Sequence, residues 1–89
     1  MRLNLEENAL MITFSISVQK GKTQDWLNQN LDWLKNISPT GVSFYLWEAE
    51  RRGWIKGVVP KGMKGKECDL IWFATKKGIK AYDNDERFQ

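Results

Sequence analysis

A chain of 89 residues offers material for one domain and not for two. With 12% aromatic and 28% charged residues it has the composition of an ordinary globular protein, which excludes intrinsic disorder. Histidine is absent and Cys68 is the lone cysteine, so there is no intrachain disulfide, and neither the usual zinc ligand nor the commonest general base is present.

The first segment, Leu5 to Gln19, supports two readings. Leu5, Ala9, Ile12 and Ile16 share one helical face, whereas Leu10, Ile12, Phe14, Ile16 and Val18 alternate as in a half-buried strand. β-branched Ile12, Thr13, Ile16 and Val18 favour a strand, and acidic Glu6 and Glu7 favour a helix start. The apolar stretch Ala9 to Val18 is broken by Thr13, Ser15 and Ser17 and has about half the length of a membrane span. It also lacks the small-residue cleavage site of a secretory signal, so the expected setting is cytoplasmic, away from membranes.

Thr23 to Asn36 reads as a second helix. Thr23 suits the N-cap, Asp25 suits the first turn, and Trp26, Leu27, Leu31, Trp33, Leu34 and Ile37 form a wide apolar stripe. The third helix has signals at both ends. Ser38 before Pro39 is a start signal, and Gly53 after Arg51 and Arg52 is a stop. Between them Val42, Leu46 and Ala49 recur on one face. Trp54 to Val59 and Asp69 to Ala74 are then β-prone runs on either side of a glycine- and lysine-rich connection, which predicts a β-hairpin. Thr75 caps a short helix carrying Ile79 and Tyr82, and Asp83 to Gln89 reads as a frayed tail.

The net charge is only +3, but it is unevenly distributed. Residues 51–80 hold nine lysines and arginines against Glu67 and Asp69, a net charge of +7, while the N-terminal half carries more acid than base. Localised positive charge on a small domain is the footprint of a polyanion partner. It equally suits a lysine-rich hairpin kept soluble by its charge.

The order helix, helix, turn, helix, hairpin, short helix resembles the winged helix-turn-helix, and the residues add to the likeness. The run from Val42 to Ile55 is similar to the V-S-x-x-L-x-x-L-E-x-x-G-L-I pattern in the third helix of MarR- and PadR-type repressors. Ala49 and Trp54 stand where that pattern has leucine. Thr23-Gln24 with Leu27 and Leu31 resembles the T-Q-x-x-L-A-x-x-L of their second helix, and Ile71 to Ile79 resembles the L-T-x-x-G that follows the wing. The likeness covers residues 20–82. It implies a mainly α fold with a small β-hairpin (α+β): a single domain over residues 1–89, with a three-helix core, a wing and a short C-terminal helix. It also implies that the first segment is helical. The interval from Leu31 to Ile37 is about four residues longer than in that family, close to one helical turn, which predicts a lengthened second helix.

The resemblance implies double-stranded DNA as partner, a role in transcription regulation and a nucleoid-associated location. In such domains the outward side of the third helix enters the major groove and the wing touches the backbone. Thr40, Ser43, Phe44, Tyr45 and Trp47 would lie near the duplex, with Arg51, Arg52 and Lys56 at the helix end and wing base. Lys61, Lys64 and Lys66 would contact phosphate or the minor groove from the wing. Arginine and lysine, the commonest base readers, are missing from the middle of this helix. Its exposed aromatics are also typical protein-interface anchors, so the alternative is a protein–protein interaction module. Family repressors pair through additional helices; Leu5 to Val18 could serve a homodimer, and a monomer is equally compatible. No cofactor or metal is expected. Catalysis ranks last: there is no glycine-rich phosphate loop, and Glu48 and Glu50, two apart on a helix, do not face each other. Cys68 reads as a small packing residue, with a redox-sensor role as its alternative.

Overall fold

The computed structural model describes residues 4–19, 21–59 and 70–86. Along them run α1 (Leu5–Gln19), β1 (Lys22–Thr23), α2 (Gln24–Asn30), a 3₁₀ turn (Asp32–Leu34), α3 (Pro39–Arg51), β2 (Ile55–Val58), β3 (Ile71–Ala74) and α4 (Lys76–Asp83). The architecture is α+β, helices around a small antiparallel sheet of order β1-β3-β2. In β2–β3 the register pairs Ile55 with Ala74 and Val58 with Ile71; on the other side of β3, Lys22 pairs with Trp72 and Thr23 with Ile71. The expected hairpin is therefore joined by a third strand. That strand has two residues, too short for any alternation to reveal.

The first segment is helical, and its hydroxyl groups account for how strand-prone residues are accommodated there. Thr13 Oγ1 donates to Ala9 O (2.7 Å), Ser15 Oγ to Met11 O (2.9 Å) and Ser17 Oγ to Phe14 O (2.7 Å). Each satisfies its polar group within the helix, so even the fully buried Thr13 has a partner. Asn4 Oδ1 accepts from Glu7 N (2.8 Å) and caps the start. α1 packs against α3, α4 and β3, which is why apolar residues recur around most of its circumference.

The second segment departs from expectation. α2 ends at Asn30, and Leu31 turns extended (φ −91°, ψ 120°) before the 3₁₀ turn. The surplus residues form this break instead of one more helical turn. The cause lies in Asn28, whose side-chain amide donates to Leu34 O (3.0 Å) and Ile37 O (3.2 Å) and so rewards a folded-back chain. Leu27 and Leu34 are both fully buried, so the break keeps the apolar stripe inside.

Val42, Leu46 and Ala49 of α3 meet Ala9, Leu10, Ile12 and Ile16 of α1 in the core, closed by Trp54, Ile55 and Trp72. Each fully buried leucine or isoleucine side chain there contributes about 1.5–3 kcal/mol through removal from water. The end of α3 follows from one residue. Gly53 takes φ +78°, its N–H donates to Glu50 O (2.9 Å), and Trp54 N donates to Ala49 O (2.9 Å). Thr75 fastens α4 to that corner. Its hydroxyl oxygen lies 2.6 Å from Gly53 O and 3.0 Å from Trp54 O, both of which can take its hydrogen, and accepts from Gly78 N (3.0 Å), while its own N–H donates to Trp54 O (2.9 Å). At the far end Asp83 is the last residue of α4, with Asn84 N and Asp85 N bonded back to Lys80 O and Tyr82 O.

Candidate nucleic-acid interface

α3 begins where Ser38 Oγ accepts from Gly41 N (3.1 Å), with Pro39 in the first turn, so its origin is fixed by local chemistry. Its inward face is set by Val42, Leu46 and Ala49, all but inaccessible to solvent. On the opposite face Thr40, Phe44, Trp47, Glu50 and Arg51 are exposed. Phe44 and Trp47, each 52% exposed, meet edge to face with centroids 5.6 Å apart. No described element covers this ridge.

Two of the expected contact residues sit off the ridge. Ser43 Oγ is taken by Gln24 Nε2 (2.8 Å), which also donates to Pro39 O (2.9 Å) and so ties the start of α2 to the start of α3. Tyr45 is half-buried, stacked against Trp33 (6.2 Å between centroids, 14° between planes). Trp33 in turn donates from Nε1 to Ser15 Oγ (3.2 Å). Tyr45 is thus a wall of the helix packing, with Thr40, Phe44 and Trp47 left as the open ridge.

The arginines at the end of α3 are already engaged. Glu48 accepts from Arg51 Nε (3.0 Å) and Nη2 (2.6 Å) and from Arg52 Nε. Arg52 also lies 3.8 Å from Glu6 and over the Trp54 ring. Bonds from Arg51 and then Arg52 pull the Glu48 carboxyl from its ordinary 4.5 down to about 2. The sign follows from linkage. The folded form binds this proton less readily than the unfolded chain, so the contribution is complete above pH 4.5 and disappears as pH falls through about 2. Glu48→Gln is therefore expected to lower stability at neutral pH and to narrow its gap to wild type steadily across that acid window, read by urea melts at stepped pH. A gap of constant size down to about pH 2 contradicts this account of Glu48.

Among the described residues, further lysines lie off the ridge. Lys56 is exposed on β2. Lys77 of α4 runs beside the glycine corner: a Cβ on Gly53 would stand 3.5 Å from Lys77 Cδ and 3.6 Å from Nζ. An ammonium there suits the negative end of α3. Lys77 was hidden among the basic residues of 51–80, because no local signal places α4 at this corner. Lys61, Lys64, Lys66 and Cys68 lie outside the described residues, on the chain between the paired strands β2 and β3. Among the described residues no group of histidine, cysteine, aspartate or glutamate could hold a metal ion, and no helix is long and apolar enough to cross a membrane.

Compared with protein-family models, curated proteins and solved structures, the chain returns no match.

Proposed function

We propose that this chain is a winged helix-turn-helix domain that binds double-stranded DNA as a small transcription regulator. The observation that carries the reading is the uncovered ridge Thr40–Phe44–Trp47 on α3, bounded by the Ser38 cap and by the glycine corner that leads into the β2–β3 hairpin. Three further features agree with it. The sheet order β1-β3-β2 lets the strand before α2 flank the hairpin. A helix of 13 residues is about 20 Å long, enough to lie along a major groove. The connection between β2 and β3 carries Lys61, Lys64 and Lys66.

In this reading the ridge faces base edges, while the three lysines, Lys56 and Lys77 meet phosphates. Neutralising about four to six phosphates gives a log–log salt slope of roughly −4 to −5. The test is an anisotropy titration with a labelled mixed-sequence duplex over a range of salt. Binding at about 0.1 M salt with that slope supports the proposal, and absence of duplex binding there ends it.

A second reading has its own observation. Glu48 engages both Arg51 and Arg52 at the end of α3, and the ridge beside them is aromatic, which also suits a partner protein. Self-association of the chain, or capture of a defined protein partner, together with no duplex binding selects this alternative.

A further inference from the structure

We infer that Phe44 and Trp47 on the α3 ridge read the methyl groups of thymine, so that the domain prefers A·T-rich major grooves. The inference rests on the DNA-binding reading and adds what that reading leaves open, the chemistry of sequence selection.

The ridge is poor in charge. Arg51 is its one cationic side chain, and it is held through both Nε and Nη2 by Glu48. Glu48 takes two of the five guanidinium donors and ties Arg51 to the last turn of α3, beyond Trp47, so the middle of the ridge has no donor pair for guanine O6 and N7. What remains in the middle of the ridge is Phe44, which has carbon alone to offer, and Trp47, with a single donor. Thr40 at the helix start brings a methyl and a hydroxyl.

The floor of the major groove presents donors and acceptors at every base pair, and one apolar group, the thymine C5 methyl. A phenyl edge laid over G·C would strip water from O6, N7 and the cytosine amino group and return no hydrogen bond, which is costly. Laid over A·T it covers N7, N6 and O4 as well, but it also rests on the methyl, which offsets that cost. The methyl is therefore what the pair distinguishes. The edge-to-face contact of Phe44 and Trp47 holds the two rings as one projecting surface, so little side-chain freedom remains to be lost on docking. Phosphate contacts come from lysines outside the ridge, which leaves this selection independent of overall charge.

The experiment uses the whole chain and four alternating duplexes of equal length: A·T, A·U, G·C and G·5-methylcytosine. Uracil removes the methyl from the A·T groove, and 5-methylcytosine installs it at the same ring position in the G·C groove. Burying one methyl is worth about a fourfold change in affinity, so two, one under each ring, give about fifteenfold. The expected order is A·T tighter than A·U by about fifteenfold, with G·5-methylcytosine tighter than G·C in the same direction. All four salt slopes should agree, because the phosphate contacts are shared. Phe44→Ala and Trp47→Ala should each bring the thymine-to-uracil ratio toward one while leaving the salt slope and the melting transition unchanged.

Equal affinity for A·T and A·U overturns methyl reading and leaves DNA binding standing. A ratio that persists in Phe44→Ala also overturns it, since the discrimination would then arise from duplex shape. Failure to bind any of the four duplexes at low salt removes the DNA-binding reading as well.

Discussion

Gly78→Ala is expected to cost about 3 kcal/mol and to lower the melting temperature by roughly 10–25 °C. Helix propensity alone gives the opposite sign, because alanine inside a helix is favoured over glycine by about 1 kcal/mol. Geometry reverses it. A Cβ on Gly78 would stand 2.1 Å from Trp54 O, 2.8 Å from Trp54 C and 2.9 Å from Thr13 Cγ2. Two of these neighbours are backbone, and they cannot swing aside as a flexible side chain can. Trp54 O is also held by Thr75 N and Thr75 Oγ1, so retreat of the strand strains the clasp between α4 and the α3 corner. Retreat of α4 instead pulls Tyr82 away from Ser17 Oγ (2.9 Å) and from the Phe14 ring (5.2 Å). Thermal melts of Gly78→Ala beside Lys80→Ala, an exposed position on the same helix, check the claim. A Gly78→Ala protein that melts with wild type would mean that α4 does not cross the β2 corner this closely.

Replacing Lys61, Lys64 and Lys66 together by alanine is expected to weaken duplex binding by about two to three orders of magnitude at about 0.1 M salt. Each lysine at a phosphate releases a counterion, so losing three flattens the log–log slope by nearly three. Phosphates are the same in every sequence, so all duplexes should lose affinity alike. This separates the triple variant from changes on the α3 ridge, which are expected to alter sequence preference at constant slope. The lysines lie outside the described residues, and the expectation rests on their place in the sequence between β2 and β3. An unchanged slope removes that connection from the mechanism and shifts the phosphate contacts to Lys56, Lys77 and their neighbours.

α3 was legible from end to end because its boundaries are local chemistry. Serine before proline fixes its start, and a glycine that alone tolerates φ +78° fixes its stop. α1 was not legible by pattern, because its apolar residues fit both periods. Burial by α3, α4 and β3 together with hydroxyl-to-carbonyl bonds decides the matter, and both are tertiary or side-chain facts that periodicity does not carry. The break after Asn30 could have been anticipated from Asn28 and Asn30, poor helix residues with amides able to bind the backbone. The two-residue strand at Lys22–Thr23 exists only because β3 lies beside it.

The candidate site divides along the same line. The exposed aromatics of α3 follow from the position of Val42, Leu46 and Ala49 on the opposite face. The pairing of Glu48 with Arg51 and Arg52 follows from spacings of three and four on a helix. Tyr45 against Trp33 and Lys77 beside Gly53 depend on how separate elements dock, and nothing local in the sequence announces them.

Amide-shift mapping by NMR on isotope-labelled protein, with and without a mixed-sequence duplex, asks which surface meets the partner. Perturbations should concentrate at Thr40, Phe44 and Trp47 and at the glycine corner near Lys77, leaving Phe14 and Val18 of α1 and Ile79 of α4, which are also exposed, unmoved. Shifts gathered at those three residues instead, or none at all with excess duplex at low salt, would contradict the assignment of α3 as the recognition surface.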